Sequence, residues 1–167
     1  MDAKRILIAI DDAKPSHRAV AYVGQMLNGA PGVQVCLLHV PAPVPPELLE
    51  HGGSEDPVEE RQIEAHLDHT QATWEDRMKA DIQPLFDRAQ AILRAAQIPD
   101  HAVETHIAAP VSGHDLDACI LEAAHTHRCG TVVVGRESFS WLREKFQEHV
   151  ADKILRQDDH VTLWVVQ

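Results

Sequence analysis

Five short strand-like runs recur along the chain, and segments long enough for a helix separate them. The first run, RILIAI, lacks the polar alternation of a half-exposed strand, as expected for a strand that is buried on both faces of a parallel sheet. We predict the strands at Arg5 to Ile10, Val33 to Val40, Val103 to Ile107, Thr131 to Val134 and Val161 to Val166. The sequence therefore predicts an α/β fold: a doubly wound, five-stranded parallel sheet between two layers of helices.

Helical periodicity fills the intervals between the predicted strands. Ser16 is predicted as the N-cap of the first helix, which ends at Asn28-Gly29. A helical pattern then continues from residue 58 to residue 96, and we expect Pro84 to divide it, because proline removes a backbone donor and crowds the preceding turn. We therefore predict an insertion at residues 42–81 with an acidic helix, followed by a crossover helix at about 83–97.

Two shorter helices are predicted in the second half of the chain. Ser112 and Asp115 resemble a capping box for a helix at His114 to His127. A last helix is predicted at about His149 to Gln157, immediately before the fifth strand.

Size and charge narrow the class of protein. The 167 residues have the size of one compact domain, and we predict a single domain over residues 1–167. Fifteen basic and 26 acidic side chains give a formal net charge of −11, which disfavours nucleic acid as a partner. No signal-peptide pattern or membrane-spanning run is found. The cysteines (Cys36, Cys119 and Cys129) form no CxxC pair, so we expect reduced thiols in a cytoplasmic protein.

The ends of the predicted strands carry a resemblance to a known family. The chain has ILIAID in its first strand, LLHV at the end of the second, TVVVG at the end of the fourth and VTLWVV in the last. In this order they resemble the universal stress protein family, over nearly the whole chain except residues 42–81. The resemblance implies a Rossmann-like fold of the adenine nucleotide alpha hydrolase type, a stress-related function, and a homodimer formed through the strand Val161 to Val166.

A nucleotide-binding signature can be compared position by position. Nucleotide-binding members of that family carry G-x-x-G-x9-G-[S/T] after the fourth strand and an aspartate after the first. The aspartate matches Asp11 and the first glycine matches Gly135. The second glycine falls on Ser138, and the final pair falls on Glu148 and His149. The resemblance therefore implies a degenerate nucleotide site.

Physical chemistry points in the same direction as the motif. Glycines suit a phosphate loop because backbone amides must approach phosphate oxygens without a Cβ in the way. Ser138 and Glu148 lose this advantage. A carboxylate about 5 Å from a phosphate costs roughly 3 kcal/mol at an effective dielectric of ~20. We therefore predict that ATP is not bound and that no cofactor is present.

An alternative keeps a nucleotide in a divergent site. Asp11 and Gly135 would then act with Arg136 or Arg143, and with the main chain of Val40, which matches the position beside the adenine in nucleotide-binding relatives. AMP suits such a site better than ATP, because the altered positions are those of the outer phosphates.

Metal sites and catalytic sites have weaker signals. His66 and His69 are three residues apart in the inserted helix, and His125 and His127 precede Cys129, so each group could supply two zinc ligands. Neither group offers three or four ligands locally, and we favour surface histidines over a metal site. No G-x-S-x-G elbow accompanies the serines, and we predict that the protein is not an enzyme.

The function predicted from these observations is a stress-related regulatory or binding module that acts through protein contacts. The predicted contact surfaces are the aromatic loop at residues 139–146 and the apolar stripe of the inserted helix. This stripe comprises Ile63, Leu67, Trp74 and Met78. The last strand, which contains Trp164, is apolar on both faces and would be an aggregation hazard as a free edge. Dimerisation would cover that edge; the alternative is that the insertion covers it within one chain.

Overall fold

The structure, a computed structural model, describes residues 1–48, 56–109, 116–136, 138, 150–157 and 160–167. The strands are β1 (Asp2–Ala9), β2 (Gln34–His39), β3 (Val103–Ile107), β4 (Cys129–Gly135) and β5 (Thr162–Val166). The helices are α1 (Lys14–Leu27), α2 (Pro57–Ala95), α3 (Leu116–Thr126) and α4 (Val150–Gln157). The observed β3 coincides with its prediction, and the other four strands differ from theirs by a few residues at their ends.

All five strands pair in parallel, in the order β3-β2-β1-β4-β5. The central strand β1 places Leu7 opposite Cys36 of β2 on one side and opposite Val132 of β4 on the other. The chain builds outwards from β1 to β3 and then crosses to β4 on the other side of β1. Ligand crevices of doubly wound sheets lie at such a reversal, beyond the carboxyl ends of the strands. This topology confirms the predicted fold class.

Two hydrophobic cores lie on the two faces of the sheet. Successive side chains of a strand point to opposite faces, so Ile6, Ile8 and Ile10 pack towards α1 and α2, whereas Leu7 and Ala9 pack towards α3 and α4. Each of these five side chains is at most 3% exposed. Uninterrupted apolar runs are therefore required in the central strands, because neither face of the sheet meets water.

Helix α2 contradicts the prediction that Pro84 divides the helical pattern. The helix runs without a break from Pro57 to Ala95, with Pro84 inside it. Pro84 is exposed, so water can satisfy the carbonyl group one turn earlier that loses its backbone donor. A helix of 39 residues is about 58 Å long. Its buried side chains begin only at Ile82, and Met78 packs against the same core one turn earlier, so the residues before Met78 extend beyond the part that packs on the sheet.

The start of α1 also differs from the prediction. The helix begins at Lys14 with Ala13 at the N-cap, and Pro15 occupies its first turn, where no amide donor is needed. Ser16 lies inside that turn and does not cap the helix. The predicted end is correct: Asn28 adopts a left-handed conformation with φ of 37°, and its amide donates to the Gly24 carbonyl.

Some predictions fall outside the described residues. They include the capping box at Ser112 and Asp115 and the aromatic loop at residues 139–146. In the part of the chain that is described, no helix combines the length and the apolar character needed to cross a lipid bilayer.

Candidate functional site

The crevice at the reversal of the sheet is bordered by residues from three elements. Asp11 follows β1, Gly135 ends β4, and Ser16 lies in the first turn of α1. Ser138, three residues beyond β4, completes the group. Asp11, Ser16 and Ser138 are 7%, 1% and 9% exposed, so these polar side chains are buried at the place where this fold class holds its ligands.

Hydrogen bonds join these buried side chains into a chain. The Ser16 hydroxyl donates to an Asp11 carboxylate oxygen, and the same oxygen accepts the Ala13 amide at 3.2 Å. The Ser16 and Ser138 hydroxyl oxygens lie 2.7 Å apart. The Ser138 amide donates to the Gly135 carbonyl at 3.1 Å, which turns the chain back over the end of β4. We call this group the Asp11–Ser16–Ser138 chain. It ties the loop after β4 to the start of α1.

Gly135 allows this close approach. A Cβ atom at Gly135 would lie 2.6 Å from the Pro15 carbonyl carbon, 2.8 Å from the Pro15 Cβ, and closer still to the Ser138 hydroxyl. No other residue fits without a shift of α1 or of the loop. The glycine that matches the family signature is therefore required here by packing between protein atoms.

Helix α2 closes the crevice beside Asp11. Leu85, Ala89 and Ile92 face Ile10 and Asp11, and the cavity between them has a volume of about 10 Å³. A cavity needs about 10–15 Å³ to hold a single water molecule. In the described structure, this side of Asp11 has no room for a ribose or a base.

The carboxyl end of β2 lies next to the same crevice. Val40 is fully buried, and the preceding residue, His39, is half-buried. The His39 Nδ1 atom lies 2.9 Å from the Ile10 carbonyl oxygen; because a carbonyl only accepts, Nδ1 carries the proton and donates. Burial lowers the pKa of His39 from its ordinary 6.5, although the hydrogen bond to Ile10 and the charge of Asp11 act in the opposite direction. The ring is therefore held neutral.

The remaining predicted site residues are only partly described. The Arg136 side chain is exposed, and its amide donates to the Val166 carbonyl at 2.8 Å, which joins the loop after β4 to β5. Glu148, His149 and Arg143 lie outside the described residues. Of the predicted nucleotide-site residues, the structure thus brings Asp11, Gly135 and Ser138 together. The sequence did not identify Ser16 as the link between them, because a serine at this position is equally typical of a helix cap.

The two histidine groups proposed from the sequence have different surroundings. His66 and His69 are exposed on α2. His127, which follows α3, stacks on His106 of β3 with ring centroids 3.7 Å apart. The sequence analysis missed His106 as a neighbour because the two residues are far apart in the chain.

The cysteines are free thiols in the described structure. Cys36 and Cys129 are buried, and a hydrogen bond between their thiols raises the pKa of Cys36 and lowers that of Cys129. The pKa of Cys119 is raised, mainly by burial.

Solved structures with the same fold were found by comparison. A universal stress protein family member from Burkholderia pseudomallei has a TM-score of 0.62 at 15% identity, with 98% of this chain and 96% of that chain covered. A universal stress protein in complex with cAMP has a TM-score of 0.58 at 16% identity, with 98% and 95% covered. A universal stress protein from Archaeoglobus fulgidus in complex with dAMP has a TM-score of 0.50 at 15% identity, with 98% and 97% covered. At these identities the likeness shows the fold alone.

Sequence comparison gives the family. No curated protein matches this chain. The profile described as "Universal stress protein family" matches residues 3–165, which is nearly the whole sequence. The chain therefore belongs to the universal stress protein family.

Proposed function

We propose that this protein is a cytoplasmic, stress-related regulatory module that acts through protein contacts, without ATP and without catalytic activity. The observation that supports this most directly is the Asp11–Ser16–Ser138 chain, which lies in the crevice where this fold class holds ligands. A nucleotide that reached Asp11 would have to displace the Ser138 hydroxyl from Ser16.

Displacement of Ser138 has a cost that can be sized. The Ser16–Ser138 hydrogen bond contributes about 1 kcal/mol net, and Ser16 keeps its two bonds to Asp11 when Ser138 moves away. Loss of about 1 kcal/mol weakens a ligand roughly fivefold. This penalty is separate from the repulsion expected from Glu148.

A divergent adenine-nucleotide site is the second candidate. It is favoured by the two relatives solved with cAMP and with dAMP, both of which carry one phosphate on the nucleotide. AMP would contact less of the loop after β4 than ATP does. Asp11 and Gly135, which match the nucleotide-binding members of the family, would contact the AMP. Binding of AMP but not of ATP is the outcome that distinguishes this candidate from a closed crevice.

Calorimetric titration of the full chain with ATP and then AMP, with magnesium at about pH 7.5, tests the two candidates. We expect no binding of either nucleotide up to millimolar concentration. The Ser138→Gly variant removes the hydroxyl that bonds to Ser16, and it should gain measurable affinity if this hydroxyl closes the site. Ser16→Ala is a comparison variant that removes the same hydrogen bond, together with the bonds between Ser16 and Asp11, but leaves the Ser138 side chain in place. Micromolar binding by the wild type contradicts the proposal.

The first 25 residues of α2 supply the contact surface that we propose for a partner protein. In this part of the helix Ile63, Leu67 and Trp74 are half-buried, at the i, i+4 and i+11 positions of one helical stripe. Met78, which continues the stripe, already packs against the core of the sheet. No side chain of residues 57–81 is buried on the sheet. A deletion of residues 46–77 should therefore leave the core intact, because the core residues of α2 begin at Ile82. Cooperative thermal unfolding of the shortened chain supports an accessory role, whereas aggregation would show that the segment covers the core.

A homodimer through β5 is the assembly that we propose. This strand lies at one edge of the sheet, and no other strand of the described residues pairs with its outer side. Its side chains are half-buried or exposed, and Val165 is 44% exposed, so the described part of the chain covers this apolar edge only partly. Pairing of two such edges would satisfy their backbone groups and bury their apolar side chains.

A further inference from the structure

A second group of polar side chains lies on the face of the sheet that α3 covers, away from the crevice. It contains Cys36 of β2, Glu104 and His106 of β3, and His127 from the turn between α3 and β4. One candidate ligand atom from each side chain can be chosen so that all four atoms lie within 4.8 Å of one another. We call this group the Cys36–His127 cluster.

The parallel register of the strands brings these residues together. Cys36 is the register partner of Glu104, and Leu38 is the partner of His106. Glu104 and His106 are two residues apart in β3, so both point to the face that Cys36 occupies. Arg128 has a φ of 55°, and this left-handed residue turns the chain from α3 into β4 and leaves His127 beside His106.

Two separations between ligand atoms match those of a tetrahedral zinc site. The His106 Nε2 atom lies 3.4 Å from a Glu104 carboxylate oxygen, and the Cys36 Sγ atom lies 3.7 Å from the same oxygen. Ligands bound to zinc at roughly 2.0–2.3 Å with tetrahedral angles are about 3.3–3.8 Å apart. The His106 and His127 rings are stacked at 30°, so they must rotate about their side-chain bonds to point their nitrogens at one ion. Both rings are half-buried, and both line the open hollow between β3 and α3.

Charges of both signs surround the cluster. Glu104 supplies a carboxylate, Cys36 becomes a thiolate when it releases its proton to bind a metal, and the carboxyl end of α3, with the negative end of the helix dipole, precedes His127. Arg5 contacts the same Glu104 oxygen at 3.1 Å and lies 3.8 Å from the Cys36 sulfur, so a metal ion must displace it from both ligands. Arg5 is also held by the Gln34 side chain and by the His127 carbonyl, so it keeps these partners if Glu104 turns to a metal.

A metal ion can reach the cluster from solvent. His127 lines two open hollows, one of about 400 Å³ between β3 and α3 and one of about 550 Å³ beside Arg5 and Gln34. His106 lines the first hollow. Cys36 lies at the buried end of the cluster and the two histidines lie at its open end. This arrangement leaves an entry path and places the soft thiolate ligand in the interior.

We propose that Cys36, Glu104, His106 and His127 form a zinc site. A Cys-Glu-His-His set combines the sulfur, oxygen and nitrogen donors that zinc accepts in tetrahedral geometry. The site lies apart from the nucleotide crevice, so its occupancy is independent of the function proposed above.

Competition titration with a chromophoric zinc chelator tests the site on the full-length, reduced and metal-free protein. We expect one zinc ion per chain, with a Kd below about 1 µM. His106→Gln and His127→Gln should each weaken zinc binding by at least about tenfold. Loss of a side chain that only hydrogen-bonds to a metal ligand already costs about tenfold or more in affinity, and loss of a direct ligand costs no less. Both side chains are half-exposed, so these variants should fold even if a Cys36 variant does not.

Matched controls separate this site from scattered binding by surface histidines. His101→Gln changes an exposed histidine outside the cluster and should leave the affinity unchanged. With Co²⁺ as the probe, a thiolate-to-metal charge-transfer band should appear in the wild type and be absent in Cys36→Ser. Zinc binding that is equally tight in His106→Gln and His127→Gln overturns the proposal, as does a cobalt complex without a thiolate band in the wild type.

Discussion

Replacement of Gly135 by alanine tests whether the loop after β4 is held against α1. The new Cβ would lie 2.6 Å from the Pro15 carbonyl carbon and 2.8 Å from the Pro15 Cβ. These atoms belong to the first turn of α1, so the strain cannot be relieved by a side-chain rotation alone. Overpacking of this kind costs typically 1–3 kcal/mol, and we expect about 3 kcal/mol because backbone atoms are involved.

Thermal and urea unfolding measure this cost. For a chain of this size, 1 kcal/mol corresponds to about 2–4 °C, so the melting temperature of Gly135→Ala should fall by about 6–12 °C. The urea midpoint should fall with an unchanged slope, because the amount of surface exposed on unfolding is the same.

A double variant shows which contact is responsible. The added Cβ also meets the Ser138 hydroxyl, and Ser138→Gly removes that contact but leaves Pro15. Gly135→Ala/Ser138→Gly should therefore be less destabilised than the sum of its single variants, by about 1 kcal/mol. A Gly135→Ala protein within about 0.5 kcal/mol of the wild type would refute the reasoning. It would show that the loop moves away from α1 at little cost, and the closed crevice would then lose its support.

Three further predictions concern the neutral His39, the proline in α2 and the β5 edge. Because burial lowers the pKa of His39, the unfolded chain binds a proton on this residue more readily, and stability is lost as the pH falls below about 6.5. His39→Asn keeps a donor for the Ile10 carbonyl and should lack this loss when urea unfolding is compared at pH 7.5 and 5.5. An equal loss of stability in the wild type and the variant contradicts the assignment. Pro84→Ala should raise the free energy of unfolding by about 1–3 kcal/mol, because it restores a backbone hydrogen bond inside α2; an unchanged melting temperature would show that water already compensates for the missing bond. If the wild type is a dimer in sedimentation analysis, Val165→Lys should be a monomer, while Val58→Lys, a control at an exposed valine outside β5, should stay dimeric. A dimeric Val165→Lys argues against the β5 interface.

The positions of the central strands could be predicted well, because burial on both faces of the sheet requires apolar residues at successive positions. Ile6, Leu7 and Ile8 are buried in two different cores, and this leaves a run without polar residues that only a central parallel strand explains. The continuity of α2 could not be predicted, because the effect of Pro84 depends on whether its side of the helix meets solvent. That exposure is set by tertiary packing.

The candidate sites were predictable to different degrees. Asp11 and Gly135 could be identified from the order of strands and from the family resemblance, since both follow strands next to the reversal. The link through Ser16 depends on where α1 begins, and helix starts are uncertain by a residue or two in any sequence pattern. The Cys36–His127 cluster depends on the register of β2 with β3 and on one left-handed turn at Arg128. The alternation of Glu104 and His106 in β3 was a signal for it, but nothing in the sequence paired that strand with His127.

The two edges of the sheet have opposite chemical character, and this limits how far copies of the chain can assemble. One edge strand, β5, is rich in apolar side chains, whereas the other, β3, carries Glu104, Thr105 and His106 in its five residues. A two-fold pairing of β5 with β5 would use the apolar edge of both copies and leave only the polar β3 edges outward. Charged and polar side chains on an edge discourage further strand addition. Growth by this route would end at a closed pair with a continuous ten-stranded sheet, rather than an open fibre.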